Sequence, residues 1–115
     1  MKLIVAIIVP DRLEAVKAAL AEVEVYRLTV MDIQGVDTPI GGGDSFRGRE
    51  VGLNLSRKVQ LMIGVNDNFL APTVEAIRNA SRTTPEGQPS DGKIFVIPLE
   101  DCIRIRTGEH GGEAI

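Results

Sequence analysis

"LIVAIIV", residues 3–9, is apolar at every position. A strand with one solvated face alternates apolar and polar side chains, so a run without alternation marks a strand covered on both faces. Pro10 closes the run, which at seven residues is too short to span a bilayer and lacks a small-residue cleavage site. The chain then changes period. In "PDRLEAVKAALAEV" (10–23), Leu13, Val16, Leu20 and Val23 share one helical stripe, with Asp11 as the expected cap and Glu14 as its capping-box partner.

Outward from this strand and helix, the pattern repeats. A second strand is expected at about Leu28 to Gly35, and a third over Lys58 to Val65, where Val59, Leu61, Ile63 and Val65 alternate against Gln60, Met62 and Gly64. A second helix follows, with Asn68 as cap, Leu70, Val74 and Ile77 as its stripe, and Pro72 near the first turn. After a turn at 82–92, Ile94 to Ile97 reads as a fourth strand and Ile103 to Arg106 as a short fifth. Between the second and third strands, residues 36–57 form a long glycine-rich loop whose "EVGLNLS" could extend as strand. Structureless loops beyond about 12–15 residues are usually functional or disordered.

The order βαββαβ, plus a short β, predicts one α+β domain over residues 1–115, a ferredoxin-like sandwich with two helices on one face of an antiparallel sheet. Two helices cover one face only. Residues 3–9 and 94–97 are apolar on both alternations, and no sequence is left to cover the second face, so self-association through the sheet is expected.

Composition narrows the function. A formal charge of −3 excludes general nucleic-acid binding, which draws affinity from neutralised phosphates, and four aromatics without tryptophan offer no stacking platform. Cys102 is the only cysteine, so no intrachain disulfide can form. It reads as a small buried hydrophobe, and the protein as cytoplasmic.

Three cations then stand out. Gly87, Gly92 and Lys93 satisfy G-x-x-x-x-G-K, but Ile94 replaces the Ser or Thr that holds magnesium, and a strand follows instead of a helix. This is no P-loop, yet a glycine turn beside a lysine still suits an anion. Arg104 and Arg106, two apart, would share one strand face while Ile103 and Ile105 face the core, and two like charges side by side favour a multivalent anion between them. If the 94–97 and 103–106 segments are adjacent, Lys93 lies close by. His110, the sole histidine, carries no chemistry by this reading, and Asp32, Asp37, Glu50, Asp91 and Glu109 read as solvated or capping carboxylates.

Against that background, "DGKIFVIPLEDCIRIRTGE" (91–109) closely resembles the carboxyl half of the PII signal-transduction family. The likeness extends to "LIVAIIVPDRLEAVKAALAE", "TVMDIQG", "RGRE", Lys58 and the final "EAI". The resemblance implies homotrimers of ferredoxin-like subunits that bind ATP or ADP in the clefts between subunits. A long T-loop, here about 36–57, would control a membrane transporter or enzyme. It assigns phosphate contacts to Gly87, Gly92 and Lys93 of one subunit, in a turn at about 82–93, and to Arg104 and Arg106 of its neighbour, in the segment 103–115. Ile7, Thr29, Gly35 and Gly64 would line the adenosine end, with Asp37 and Lys58 completing the site and Gly42, Asp44, Phe46, Arg47 and Arg49 presenting the T-loop to a partner.

Departures from the family pattern are informative. Val51 stands where many members carry a uridylylated tyrosine, and Arg49 where some carry a phosphorylated serine. Pro39 replaces the glutamine that helps hold magnesium and 2-oxoglutarate, Arg27 a glycine, and Met62 a glutamate; the turn 82–93 is also longer than usual. Magnesium could accompany ATP, whereas the loss of the glutamine argues against a 2-oxoglutarate response. The expectation is a regulator with at most weak ATPase activity. Its rivals are an acylphosphatase-like phosphohydrolase of the same topology and a structural trimer with a decayed nucleotide site.

Overall fold

In the computed structural model, which describes residues 1–36 and 55–115, the chain runs β1 (Lys2–Ile8), α1 (Leu13–Glu22), β2 (Thr29–Val36), β3 (Leu55–Val65), α2 (Asp67–Ser81) and β4 (Gly92–Pro98). The strands form one antiparallel sheet in the order β2-β3-β1-β4, with Ile4 opposite both Ile63 and Val96. This is the ferredoxin-like α+β arrangement expected from the sequence.

Parity explains the core. Ile4, Ala6 and Ile8 of β1 and Val59, Leu61, Ile63 and Val65 of β3 point to the helices and are buried, packed against Val16 and Leu20 of α1 and Ile77 of α2. The helices are tied together where Arg12 Nε donates to the Ala80 carbonyl at 2.8 Å, satisfying a C-terminal carbonyl of α2 that has no partner within the helix.

On the other face, register places Leu3, Val5 and Ile7 beside Phe95, Ile97, Met62 and Met31. Among the described residues no helix covers this face, and Phe95, Ile97 and Met31 are 46%, 42% and 36% exposed. The run in residues 3–9 is therefore apolar on both alternations for two reasons: one half fills the core and the other lines a bare sheet.

Several local expectations are corrected. A 3-10 turn, Pro10–Arg12, precedes α1, whose cap is Arg12 without a side-chain bond; Asp11 thus falls inside the turn, and the Asp11–Glu14 box does not form. Asn66, not Asn68, caps α2, and its amide donates instead to the Gly112 carbonyl at 3.2 Å. Pro72 is then the sixth residue of α2, beyond the positions where a missing N–H is free of cost. The fifth strand is absent: residues 103–110 form a single bridge, Ile103 to His110, closed by a turn. β4, conversely, is longer than expected, and β3 begins at Leu55.

Candidate functional site

Strand parity sorts the candidate residues. Ile7 of β1, Thr29 and Gly35 of β2, Lys58 and Gly64 of β3 and Lys93 of β4 all belong to the bare face, since Ile7 sits between Gln60 and Lys93 across the sheet and Thr29 pairs with Met62. They do not gather at one point. Ile7, Gly35, Lys58 and Lys93 lie toward the end where β1 finishes and β4 begins, whereas Thr29 and Gly64 lie toward the opposite end.

At the first end, a cleft of about 560 Å³ has Ile7, Gly87, Gly92 and Lys93 in its wall. Gly92 makes this close approach possible: its φ is +117°, and a Cβ there would collide with the Ile7 carbonyl oxygen. The turn above it is knitted by Asp91. Its carboxylate accepts from the Thr83 hydroxyl at 2.6 Å, the Thr83 amide at 3.2 Å and the Gln88 amide at 2.9 Å. The Thr83 hydroxyl above all, then the two amides and the charge of Lys58, hold the Asp91 carboxyl below the usual carboxylate range against the opposing effect of burial. Lys58 is itself buried, with Nζ donating to the Ser90 carbonyl at 2.7 Å.

This turn is not an open cradle of amides. Gly87 N–H already donates to the Thr84 carbonyl at 3.0 Å and lies 3.1 Å from its hydroxyl, and the amides of Gln88 and Asp91 are likewise engaged. Positive charge at this end therefore comes from side chains. Lys93 has no side-chain partner among the described residues, and Arg78 and Arg82 of α2 and its C-cap join it in the cleft wall. Sequence reading missed both arginines; the basic residues at the end of the second helical stripe were their only signal.

At the opposite end, Gly64 shares a smaller hollow of about 300 Å³ with Arg27, Phe69 and Ile115. Here the carboxyl-terminal loop folds back. Gly111 N–H donates to the Cys102 carbonyl, Arg104 N–H to the Glu109 carbonyl and Gly108 N–H to the Arg104 carbonyl, with Gly108 and Gly111 both at φ +75°. Arg104 contacts Glu109 Oε1 at 3.3 Å and donates to the Glu113 carbonyl at 3.2 Å, while Arg106 has no side-chain partner among the described residues.

The loop corrects three expectations. Arg104 and Arg106 do not share a strand face, because Arg104 precedes the turn 105–107 and Arg106 lies within it. Ile103 and Ile105 do not face the core; they are 57% and 100% exposed. Segment 103–106 does not pair with β4; Lys93 lies near the start of β4, and the arginines follow its far end, which is five residues, about 17 Å, further along the strand. His110 is not idle either, since its Nδ1 lies 2.9 Å from Asp101 Oδ2. Cys102 is half-buried and free. Asp37 and the proposed T-loop contacts Gly42, Asp44, Phe46, Arg47 and Arg49 lie outside the described residues, as do Pro39, Glu50 and Val51.

Among the described residues no group of three His, Cys, Asp or Glu side chains is placed to hold a metal, and no helix is long and apolar enough to cross a membrane. What the chain offers is a ferredoxin-like sheet with one bare face and two unlike ends, one a lysine-bearing cleft and the other an arginine-bearing loop beside a small hollow.

Comparison with known proteins gives the family. The model of the nitrogen regulatory protein P-II family matches residues 1–109. The chain is 47% identical to nitrogen regulatory protein GlnK1 of Methanosarcina mazei, over all of this chain and 97% of that protein. It is 45% identical to nitrogen regulatory protein P-II 1 of Methanothermobacter thermautotrophicus, over the same shares, and 42% identical to nitrogen regulatory protein P-II of Azospirillum brasilense over the whole of both. The chain belongs to the P-II family of nitrogen regulatory proteins, whose members are signal transducers rather than enzymes. The phosphohydrolase reading is left without support.

Proposed function

We propose that the protein is a homotrimeric regulator that binds ATP or ADP between subunits and passes the nucleotide state to a transporter or enzyme through residues 36–57. The observation that carries this reading is the separation of the cations. Lys93 with Ile7 and Gly92 occupies one end of the sheet, and the loop of Arg104 and Arg106 adjoins the other, where Asn66 donates to the Gly112 carbonyl and Arg104 to the Glu113 carbonyl. A chain cannot close both halves on one small ligand, but a head-to-tail ring joins the first half of each copy to the second half of the next. The bare apolar face supports the same assembly, because its area needs a cover that the described residues do not supply.

In that ring the apolar walls suit a nucleoside, and a polyphosphate meets lysine from one side and the guanidinium forks from the other. Hydrogen bonds to charged groups contribute about 1.5–3 kcal/mol each, so Arg104→Ala should weaken ATP and ADP binding roughly tenfold or more. Calorimetry showing unchanged affinity would remove Arg104 from the phosphate site.

Magnesium would arrive with ATP rather than reside on the protein. Proline at position 39 has neither a side-chain amide nor a backbone N–H to offer, so a 2-oxoglutarate response should be weak or absent while ATP binding persists. Titration of 2-oxoglutarate into protein with magnesium and ATP checks this; tight binding would mean that the response does not need the glutamine.

A further inference from the structure

The loop that carries Arg104 and Arg106 is held by a pair that nothing in its phosphate role requires. Asp101 and His110 stand at its two roots, His110 as one member of the Ile103–His110 bridge and Asp101 two residues before the other. Asp101 Oδ1 accepts from the Cys102 amide at 2.8 Å and the Gly111 amide at 3.1 Å, and Oδ2 faces His110 Nδ1 at 2.9 Å. One carboxylate thus fastens both strands of the loop root, and the imidazole is the only one of its partners that can change charge near neutral pH.

We infer that Asp101 and His110 form a positioning clamp for the Arg104 loop, one that makes phosphate affinity depend on the protonation of His110. This inference rests on the reading that Arg104 contacts phosphate. Protonated imidazole donates from Nδ1 to the carboxylate and adds a positive charge at the foot of a loop bearing two arginines. A neutral ring with its proton on Nε2 sets a lone pair against the Asp101 oxygens, and the fastening is lost. The neutral Nδ1 tautomer keeps the hydrogen bond without the charge. Either way, the loop loses a positive charge when the imidazole gives up its proton, and anion binding falls with it.

Other charges around the loop do not duplicate this effect. Arg104 is engaged by Glu109 and by the Glu113 carbonyl, Thr107 donates to Glu109, and at the start of α2 Asp67 pairs with the amino terminus at 2.9 Å. The Asp101 carboxyl is held below the usual carboxylate range, first by its hydrogen bond with His110 and then by the Cys102 and Gly111 amides, so it stays charged near neutral pH. The side chains of His110 and Asp101 are 64% and 45% exposed, so water competes with the pair and the expected effect is modest.

The test is ADP binding by calorimetry without magnesium, at about pH 6 and pH 8, for wild type, His110→Asn, Asp101→Asn and Arg104→Ala. The nucleotide's own titration is common to all and cancels in the comparison. Wild type should lose up to about fivefold more affinity over this range than either clamp variant, consistent with an exposed pair. Equal pH dependence in wild type and both clamp variants overturns the clamp, as does a uniform loss in the variants with wild type insensitive to pH. Loss of affinity in Arg104→Ala alongside such a result would leave the phosphate assignment standing without the clamp. Unchanged affinity in Arg104→Ala would instead remove the reading beneath it. Two variants that act on opposite members of the pair keep the test decisive if one of them melts early.

Discussion

Gly92 joins the fold to the proposed function. Its φ of +117° starts β4 immediately after the turn, and the absence of a side chain lets β1 pass so closely that Ile7 and Lys93 become neighbours across the sheet. An alanine there would meet both an unfavourable backbone region and the Ile7 carbonyl. Gly92→Ala should cost about 2–4 kcal/mol, measured by denaturant unfolding, and should take nucleotide affinity with it by displacing Lys93. Retention of wild-type stability would show that the turn can reach Lys93 by another path. Glycine was legible here because "DGK" before an apolar run announces a special turn. The engagement of the Gly87 amide by Thr84 was not, because it depends on how the longer turn closes on itself.

Among the elements, the 83–91 turn and the 101–111 loop repay the closest comparison with their sequence. Both are organised by one aspartate each, Asp91 and Asp101, accepting from groups on two sides. Since the Asp91 carboxyl lies below the usual range in the folded state, its contribution is fully present above the unfolded value near 3.8 and is lost as the pH falls through the folded one. Asp91→Ala should therefore lower stability by about 2–3 kcal/mol at neutral pH and by progressively less in acid, as the pH falls through the folded value and wild type loses the interaction. A penalty unchanged by acid would mean that the hydrogen bonds do not depend on the charge.

The strands and helices were legible because burial imposes a period on them, of two in Val59 to Val65 and near 3.6 in Leu13 to Val23. The "IRIR" segment showed the same period of two without a sheet to impose it, and the readable counter-signal was Gly108 and Gly111, which close a tight loop at positive φ. Caps were misplaced by one or two residues for a related reason. Aspartate or asparagine side chains can cap at several neighbouring positions, and tertiary contacts such as Asn66 with Gly112 decide between them.

At the scale of the whole molecule, the sequence disclosed that a second sheet face needed a cover, but not which residues shared an end of it. Register settles that question, and register is not written in any single strand. The consequence is a chain with two half-sites and an exposed apolar face between them, which the proposed ring would complete and bury together. Sedimentation should accordingly give a trimer at micromolar concentrations, with a monomer contradicting the assembly.

The most direct test of nucleotide binding between subunits is complementation. Lys93→Ala and Arg104→Ala each remove one half of the site, and each homotrimer should bind ATP at least about tenfold more weakly than wild type. In a mixed ring of the two variants, one interface pairs an intact Lys93 half with an intact Arg104 half. Co-assembled and purified as mixed trimers, the two defective chains should recover wild-type affinity at that interface by calorimetry. Mixed trimers that bind no better than either parent would contradict the account, because every site would then lie within a single chain.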